Sequence, residues 1–297
     1  MMFLDRFAAA RTAENPLGLQ MLFFAPPALV ADDILKFLRI EPELAQATGE
    51  LIRVADVPGA SAFIGGDGPP ACVLGLFSWG THAVKLAQFD APMPYGPVET
   101  CVGPALLPPP MKVDAKQHRA HLLLFYAGTH ADVREQFAAL CVVAGTLARC
   151  DGAICILNED ARCACPAFDL IPDVGEDALA TYRQLPVPYL LGGFTKMTVG
   201  DAGVLWARTF ANHRLGLPEL AIRMADHRQT ARIFQLFTGI AGYQLETGEK
   251  LTAGESLDLG DGATYTLREP TEAEDFLISH ETLLVLKEES ENSAAIA

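Results

Sequence analysis

Residues 120–127 read Ala-His-Leu-Leu-Leu-Phe-Tyr-Ala, and the segment 131–149 behind them carries Phe137, Leu140, Cys141, Ala144 and Leu147. The first stretch is a short apolar run of strand length. The second has helical spacing and opens with Asp132, where the positive end of a helix favours a negative side chain. A short strand at 152–157 follows. The same order is predicted upstream: a strand at 19–25, stopped by Pro26-Pro27, then a helix over 30–47 with Ile34, Leu35, Phe37 and Leu38 on one face. Strands are expected after it near 51–56, 60–65, 71–78 and 81–89, punctuated by glycine. Further along, a short helix near 176–184 precedes strands near 187–198 and 203–210. The order starts a third time with a strand at 218–225 and a helix over 228–246, which places Ile233, Phe234, Phe237, Ile240 and Ala241 on one face and stops at Gly248. Strands near 255–259, 263–268 and 282–287 complete it.

Strand, helix and strand meander, three times over, imply an α+β chain. The successive β-α-β-β modules resemble ferredoxin-like halves, with mixed or antiparallel sheets and helices on one face. The proline-rich breaks at 92–97 and 104–110 suggest modules at 1–110, 111–212 and 213–297, which also fit one compact body. Phe3, Leu4 and Phe7 fit one face of a short N-terminal helix. The polar tail from Lys287 is expected to fray.

Half of the 297 residues are hydrophobic, at 50%, ample for a core. The net charge of −15, from 37 acidic and 22 basic residues, comes with no basic run. Nucleic acid and anionic membrane surfaces are therefore poor partners. Asp5, Arg6 and Arg11 interrupt any apolar leader, and the apolar runs at 121–127 and 137–148 are shorter than the ~18–20 residues of a membrane span. A cytoplasmic location is the expectation. The 7 cysteines are odd in number and several lie in apolar runs, as free buried thiols do.

Residues 209–224, Thr-Phe-Ala-Asn-His-Arg-Leu-Gly-Leu-Pro-Glu-Leu-Ala-Ile-Arg-Met, followed by the long helix and by Leu251-Thr252-Ala253-Gly254-Glu255-Ser256-Leu257-Asp258-Leu259-Gly260, resemble the bacterial family called domain of unknown function 4261. That family's C-terminal unit has a Thr, then a Gly with a Glu two or three places later on a strand, a helix, and a strand of the form large apolar, Gly-Asp/Glu-Thr/Ser. Ala91-Pro92-Met93-Pro94 looks like its Pro-x-Pro, and His118-Arg119-Ala120-His121-Leu122 like its His-x-Ala-His strand entry. The family has no assigned activity, so the resemblance supports module boundaries and transfers no catalytic residue. Arg162-Cys163-Ala164-Cys165 departs from the family pattern.

Candidate chemistry is sparse. His118 and His121 share a face if their segment is helical and could then ligate a metal; on a strand they point to opposite faces. The more ordinary role is bonding to backbone where the central module begins. Cys150, Cys155, Cys163 and Cys165 lack the paired spacing of a zinc site. The glycines at 65–68 and 192–193 could cradle phosphate through backbone N–H groups, but a phosphate loop leads from a strand into a helix, and the Gly65–Gly68 run leads to Pro69-Pro70 and reads as a hairpin loop. Gly-x-Ser-x-Gly and His-Glu-x-x-His are absent, and Ser78 and Ser256 have no base. Asp226 reads as a helix N-cap beside His227. Glu219 alternates with Leu220 on a strand, where a functional carboxylate is one reading and a solvated strand face the more ordinary one. Trp79, Trp206, Phe77 and Phe89 read as core rather than as a ligand platform.

The leading expectation is a non-catalytic binding or interaction protein that carries no cofactor and engages a protein partner or itself as a homodimer. On that reading, replacing His118 and His121 by Ala leaves stability nearly unchanged. The alternative is a metal-dependent, hydrolase-like enzyme with a site near His118 and His121, between modules.

Overall fold

The apolar run at 120–126 becomes a central strand because both of its edges find partners. The structure, a computed structural model, describes residues 3–10, 14–57, 71–173, 175–200, 203–258, 263–278 and 282–289. It divides into two compact units, Met1–Glu159 with Ala164–Leu185, and Asp160–Cys163 with Pro186–Ala297. The class is α+β, as the sequence implies. The strand expected at 60–65 and the Gly65–Gly68 loop lie outside the described residues.

The first unit holds α1 (Phe3–Ala9), β1 (Gly18–Phe23), α2 (Ala31–Leu38), β2 (Thr48–Arg53), β3 (Val73–Trp79) and β4 (His82–Phe89). It continues through α3 (Tyr95–Val102), α4 (Pro109–Lys116), β5 (Ala120–Tyr126), α5 (Val133–Leu147), β6 (Ala153–Asn158), β7 (Cys163–Pro166) and α6 (Ala178–Arg183). The strands form one seven-stranded sheet in the order β2-β3-β4-β5-β1-β6-β7. β5 pairs antiparallel with β4 on one side and with β1 on the other. Residues 1–110 and the segment from 111 onward therefore share one sheet, and no boundary falls at 110. The prolines there start helices instead of linking modules. Pro94 and Pro108 are the N-caps of α3 and α4, positions where a missing N–H costs nothing. The helix expected over 30–47 stops at Leu38 because Pro42 forces Glu41 into extended backbone.

Both faces of this sheet are covered, beyond the one face expected. Phe3 and Phe7 of α1 pack on Leu74 and Phe89. On that same face, Val98, Cys101 and Val102 of α3 pack on Leu22, Cys155 and Leu157. Leu35 of α2 reaches the opposite face at Phe77 and Gly49, and α5 packs beside α2.

The second unit contains β8 (Phe194–Val199), β9 (Val204–Thr209), β10 (Glu219–Met224), α7 (Thr230–Thr247), β11 (Ser256–Asp258), β12 (Thr264–Arg268) and β13 (Leu283–Glu289). Its six strands run β11-β12-β13-β10-β9-β8. Among the described residues β10 and β13 pair parallel while the other neighbours in this sheet pair antiparallel, and α7 lies in the crossover between β10 and β13. The face predicted for α7 is the observed one: Ile233, Phe237 and Ile240 bury against Leu220, Ile222, Leu205 and Leu286. Each such side chain contributes about 1.5–3 kcal/mol relative to exposure. The opposite face carries Trp206, Ala221, Leu283 and Val285, with Leu277 from a 3-10 turn at Glu272–Leu277 packed on them. No described α-helix covers it. Lys287 is the fifth residue of β13 and not part of a frayed tail. Among the described residues no helix is long and apolar enough to cross a membrane.

Candidate functional site

His118 precedes β5 and His121 lies within it, both about 5% exposed. The His118 Nε2 accepts the Met93 N–H at 2.7 Å, so its Nδ1 carries the proton and donates to the Ala115 carbonyl at 2.7 Å. That leaves no ring lone pair for a metal. His121 Nδ1 bonds the Ala91 carbonyl at 2.8 Å, and the ring stacks on Phe89 at 4.7 Å. The two imidazoles thus tie the 91–93 segment to the sheet, which is the backbone-bonding role. Among the described residues no group of three or more His, Cys, Asp or Glu side chains is placed to hold a metal.

The expected effect of substitution changes accordingly. His118→Ala strands a buried N–H and a buried carbonyl, and should cost roughly 2 kcal/mol in urea unfolding, not the near-zero change of an idle surface pair. A loss below about 0.5 kcal/mol would show that the loop needs neither bond.

No disulfide joins the described cysteines, and Cys101, Cys141, Cys155, Cys163 and Cys165 are buried. Burial pushes the Cys141, Cys150 and Cys155 thiols up, away from the thiolate that zinc or redox chemistry needs. Asp226 accepts from the Arg228 N–H at 2.8 Å and caps the turn before α7, as predicted. Phe77, Phe89 and Trp79 are core residues.

Glu219 differs from its sequence reading. It is 1% exposed, not a solvated strand position. Its Oε2 accepts from Thr209 Oγ1 at 2.7 Å, and its Oε1 from the His213 backbone N–H at 3.3 Å, with His213 Nδ1 at 3.2 Å. The Thr209 hydroxyl in turn accepts the Leu220 N–H at 2.9 Å. Arg208, 2% exposed, lies nearby; burial lowers its pKa to about 10, with Glu219 opposing that shift. Arg208 also bonds the carbonyls of Thr209 and Leu277. The guanidiniums of Arg208 and Arg162 lie over the Phe210 ring, at 3.8 and 4.4 Å from its centroid. Arg162 and Ala211 are the described non-glycine residues with positive φ, at 49° and 67°. This corner concentrates backbone strain around a buried carboxylate and a buried guanidinium at the end of the helix-free sheet face.

That face opens into a cleft of about 620 Å³. Trp206, Arg223, Arg268, Glu274, Phe276 and Lys287 line it, among others. Phe276 is 41% exposed and meets Trp206 edge-on at 5.8 Å between centroids. Arg268 grips Glu274 with two bonds of 2.6 Å, which hold that carboxyl down at about 2. A capping box between Thr271 and Glu274 fixes the turn that carries Phe276. Glu288 is bound by Arg232 at 2.8 Å. Arg223 and Lys287 make no ion pair or hydrogen bond with another described side chain. The alternation of Glu-Leu-Ala-Ile-Arg-Met over 219–224 is the signal that could have found Arg223: an exposed cation inside an apolar strand.

A third cluster sits in the first unit. His82 and His130 stack at 5.0 Å and 12°, Trp79 stacks on His82 at 5.6 Å, and the Tyr126 hydroxyl lies 3.2 Å from His82 Nδ1. Arg183 bridges Glu43 at 2.9 Å and Glu135 at 2.8 Å beside it. Burial first, then the neighbouring His130, holds His82 below the ordinary imidazole range of 6.5, against the raising effect of Glu135. Burial does the same to His118 and His121. Folded imidazoles that resist protonation leave the unfolded chain to take up protons first. Their stabilisation is therefore complete above about pH 6.5 and lost as pH falls below it. The melting temperature should drop between pH 7.5 and 5.5; a flat or rising profile would contradict the neutral, buried state of these rings.

No protein-family profile, curated protein or solved structure matches this chain.

Proposed function

We propose that the chain is a non-catalytic ligand-binding protein whose binding surface is the helix-free face of the second sheet. The cleft carries this reading. Its volume of about 620 Å³ lies within the ~300–1,000 Å³ typical of small-molecule sites. Trp206 and Phe276 supply aromatic wall, and the turn bearing Phe276 is pinned by the Arg268–Glu274 pair. The groups at hand suit binding better than chemistry. Among the described residues of the lining there is no histidine or cysteine, and the carboxylates Glu274 and Glu288 are each held by an arginine. A general base needs a lone pair free near neutral pH, and none stands among the described residues of this wall.

The neutral fluorescent probe N-phenyl-naphthylamine tests the reading. It should bind saturably at one site per chain. Phe276→Ala, which removes an exposed side chain with little cost to folding, should weaken binding roughly tenfold, the effect of losing one aromatic contact. Unchanged affinity in that variant would remove the cleft from the proposal.

A further inference from the structure

The cleft's charge is out of step with the rest of the molecule. β10 and β13 run parallel in the register Glu219↔Leu283 to Ile222↔Leu286. Continuing that register by one residue sets Arg223 beside Lys287 on the same sheet face, on strands ~4.8 Å apart. Trp206 pairs with Arg223 from the other side, and Thr266 with Lys287. Like charges side by side on a sheet repel and destabilise it.

A chain with 37 acidic and 22 basic residues has carboxylates to spare for such a pair. Nearby described carboxylates bond other groups. Glu274 is bonded twice to Arg268, Glu288 to Arg232 from α7, and Glu289 to the Thr266 hydroxyl. Arg223 and Lys287, both exposed, are left facing the cleft with no described anionic partner.

We infer that the ligand of this cleft carries an oxyanion, a carboxylate or a phosphate, held between Arg223 and Lys287, while its apolar part lies against Phe276. This rests on the cleft being the binding surface. The oxyanion relieves the repulsion between two neighbouring cations, and the guanidinium fork of Arg223 suits either oxyanion. The ligand class is thus a small amphiphilic anion.

Anilinonaphthalene sulfonate is the decisive probe, because it is the neutral probe above with a sulfonate added. The wild-type chain should bind it roughly tenfold more tightly than N-phenyl-naphthylamine, and high salt should shrink that margin. In the Arg223→Gln, Lys287→Gln double variant the margin should vanish while the neutral probe binds as before. Both sites are exposed, so the variant should fold. Competition by inorganic phosphate and by acetate then separates the two oxyanion sources. Equal binding of both probes to the wild-type chain, or a margin that survives the double substitution, overturns the oxyanion assignment and leaves the cleft reading standing. Binding of either probe that ignores Phe276→Ala, or no binding at all, overturns both.

Discussion

Glu219→Ala should destabilise the second unit by about 2–5 kcal/mol, roughly 1–3 kcal/mol for each buried donor left unmet and more where a charge loses its neighbour. The carboxylate takes the Thr209 hydroxyl at 2.7 Å and the His213 N–H at 3.3 Å, and it is the nearby counter-charge of Arg208. Alanine leaves those donors unmet and removes a negative charge that favours the charged form of Arg208, 2% exposed. Arg208 keeps its two carbonyl contacts, which do not offset its charge. Glu219→Gln should fall between, since the amide oxygen can still accept from Thr209 while the negative charge is gone. Urea unfolding followed by Trp206 fluorescence, in a Trp79→Phe background, reads this unit separately from the first. A loss under about 1 kcal/mol for Glu219→Ala would mean that solvent already reaches Arg208.

Gly193→Ala is the second large effect. Gly193 has φ +57, and a Cβ there would lie 1.9 Å from the Ala161 carbonyl oxygen. A backbone atom cannot swing aside as a side chain would. The left-handed conformation costs an alanine about 1–2 kcal/mol, and forcing the two segments apart about 1–3 more. The displacement also reaches Phe210, whose N–H donates to the Gly192 carbonyl at 2.9 Å and whose ring carries the two guanidiniums. Gly200→Ala separates the contributions. Gly200 has φ +69 with nothing within 4 Å of the added Cβ, so it should show the conformational cost alone. Equal losses at the two positions would refute the close-approach argument.

These effects and the cleft share a cause. The 3-10 turn bearing Phe276 is joined to the sheet at Leu277, through its burial and through its carbonyl, which accepts from Arg208. Arg208 therefore steadies one end of the cleft wall and the Arg268–Glu274 pair the other. Variants that loosen either end should weaken probe binding even where they touch no probe.

The sequence by itself determined the local elements and the class. The apolar runs at 120–126 and 219–224, the helical faces of α5 and α7, the Asp226 cap and the stop at Gly248 are all where short-range periodicity and capping chemistry put them. Those signals act between residues a few positions apart, so they survive in one dimension. Tertiary structure decided the rest. Whether β5 opens a module or joins β1 and β4 is set by pairings across long stretches of chain, which no local pattern records. Prolines at 94 and 108 read alike as linker and as helix start until the following residues find a face to pack on. Glu219 looked solvated because alternation says which face a side chain takes, not what covers it; Thr209 and His213 are what bury it. Arg223 and Lys287 are 64 positions apart in the chain, and only the parallel register of β10 and β13 sets them side by side. A binding site is an arrangement of distant residues in space, and in this protein the order of strands in the sheet makes that arrangement.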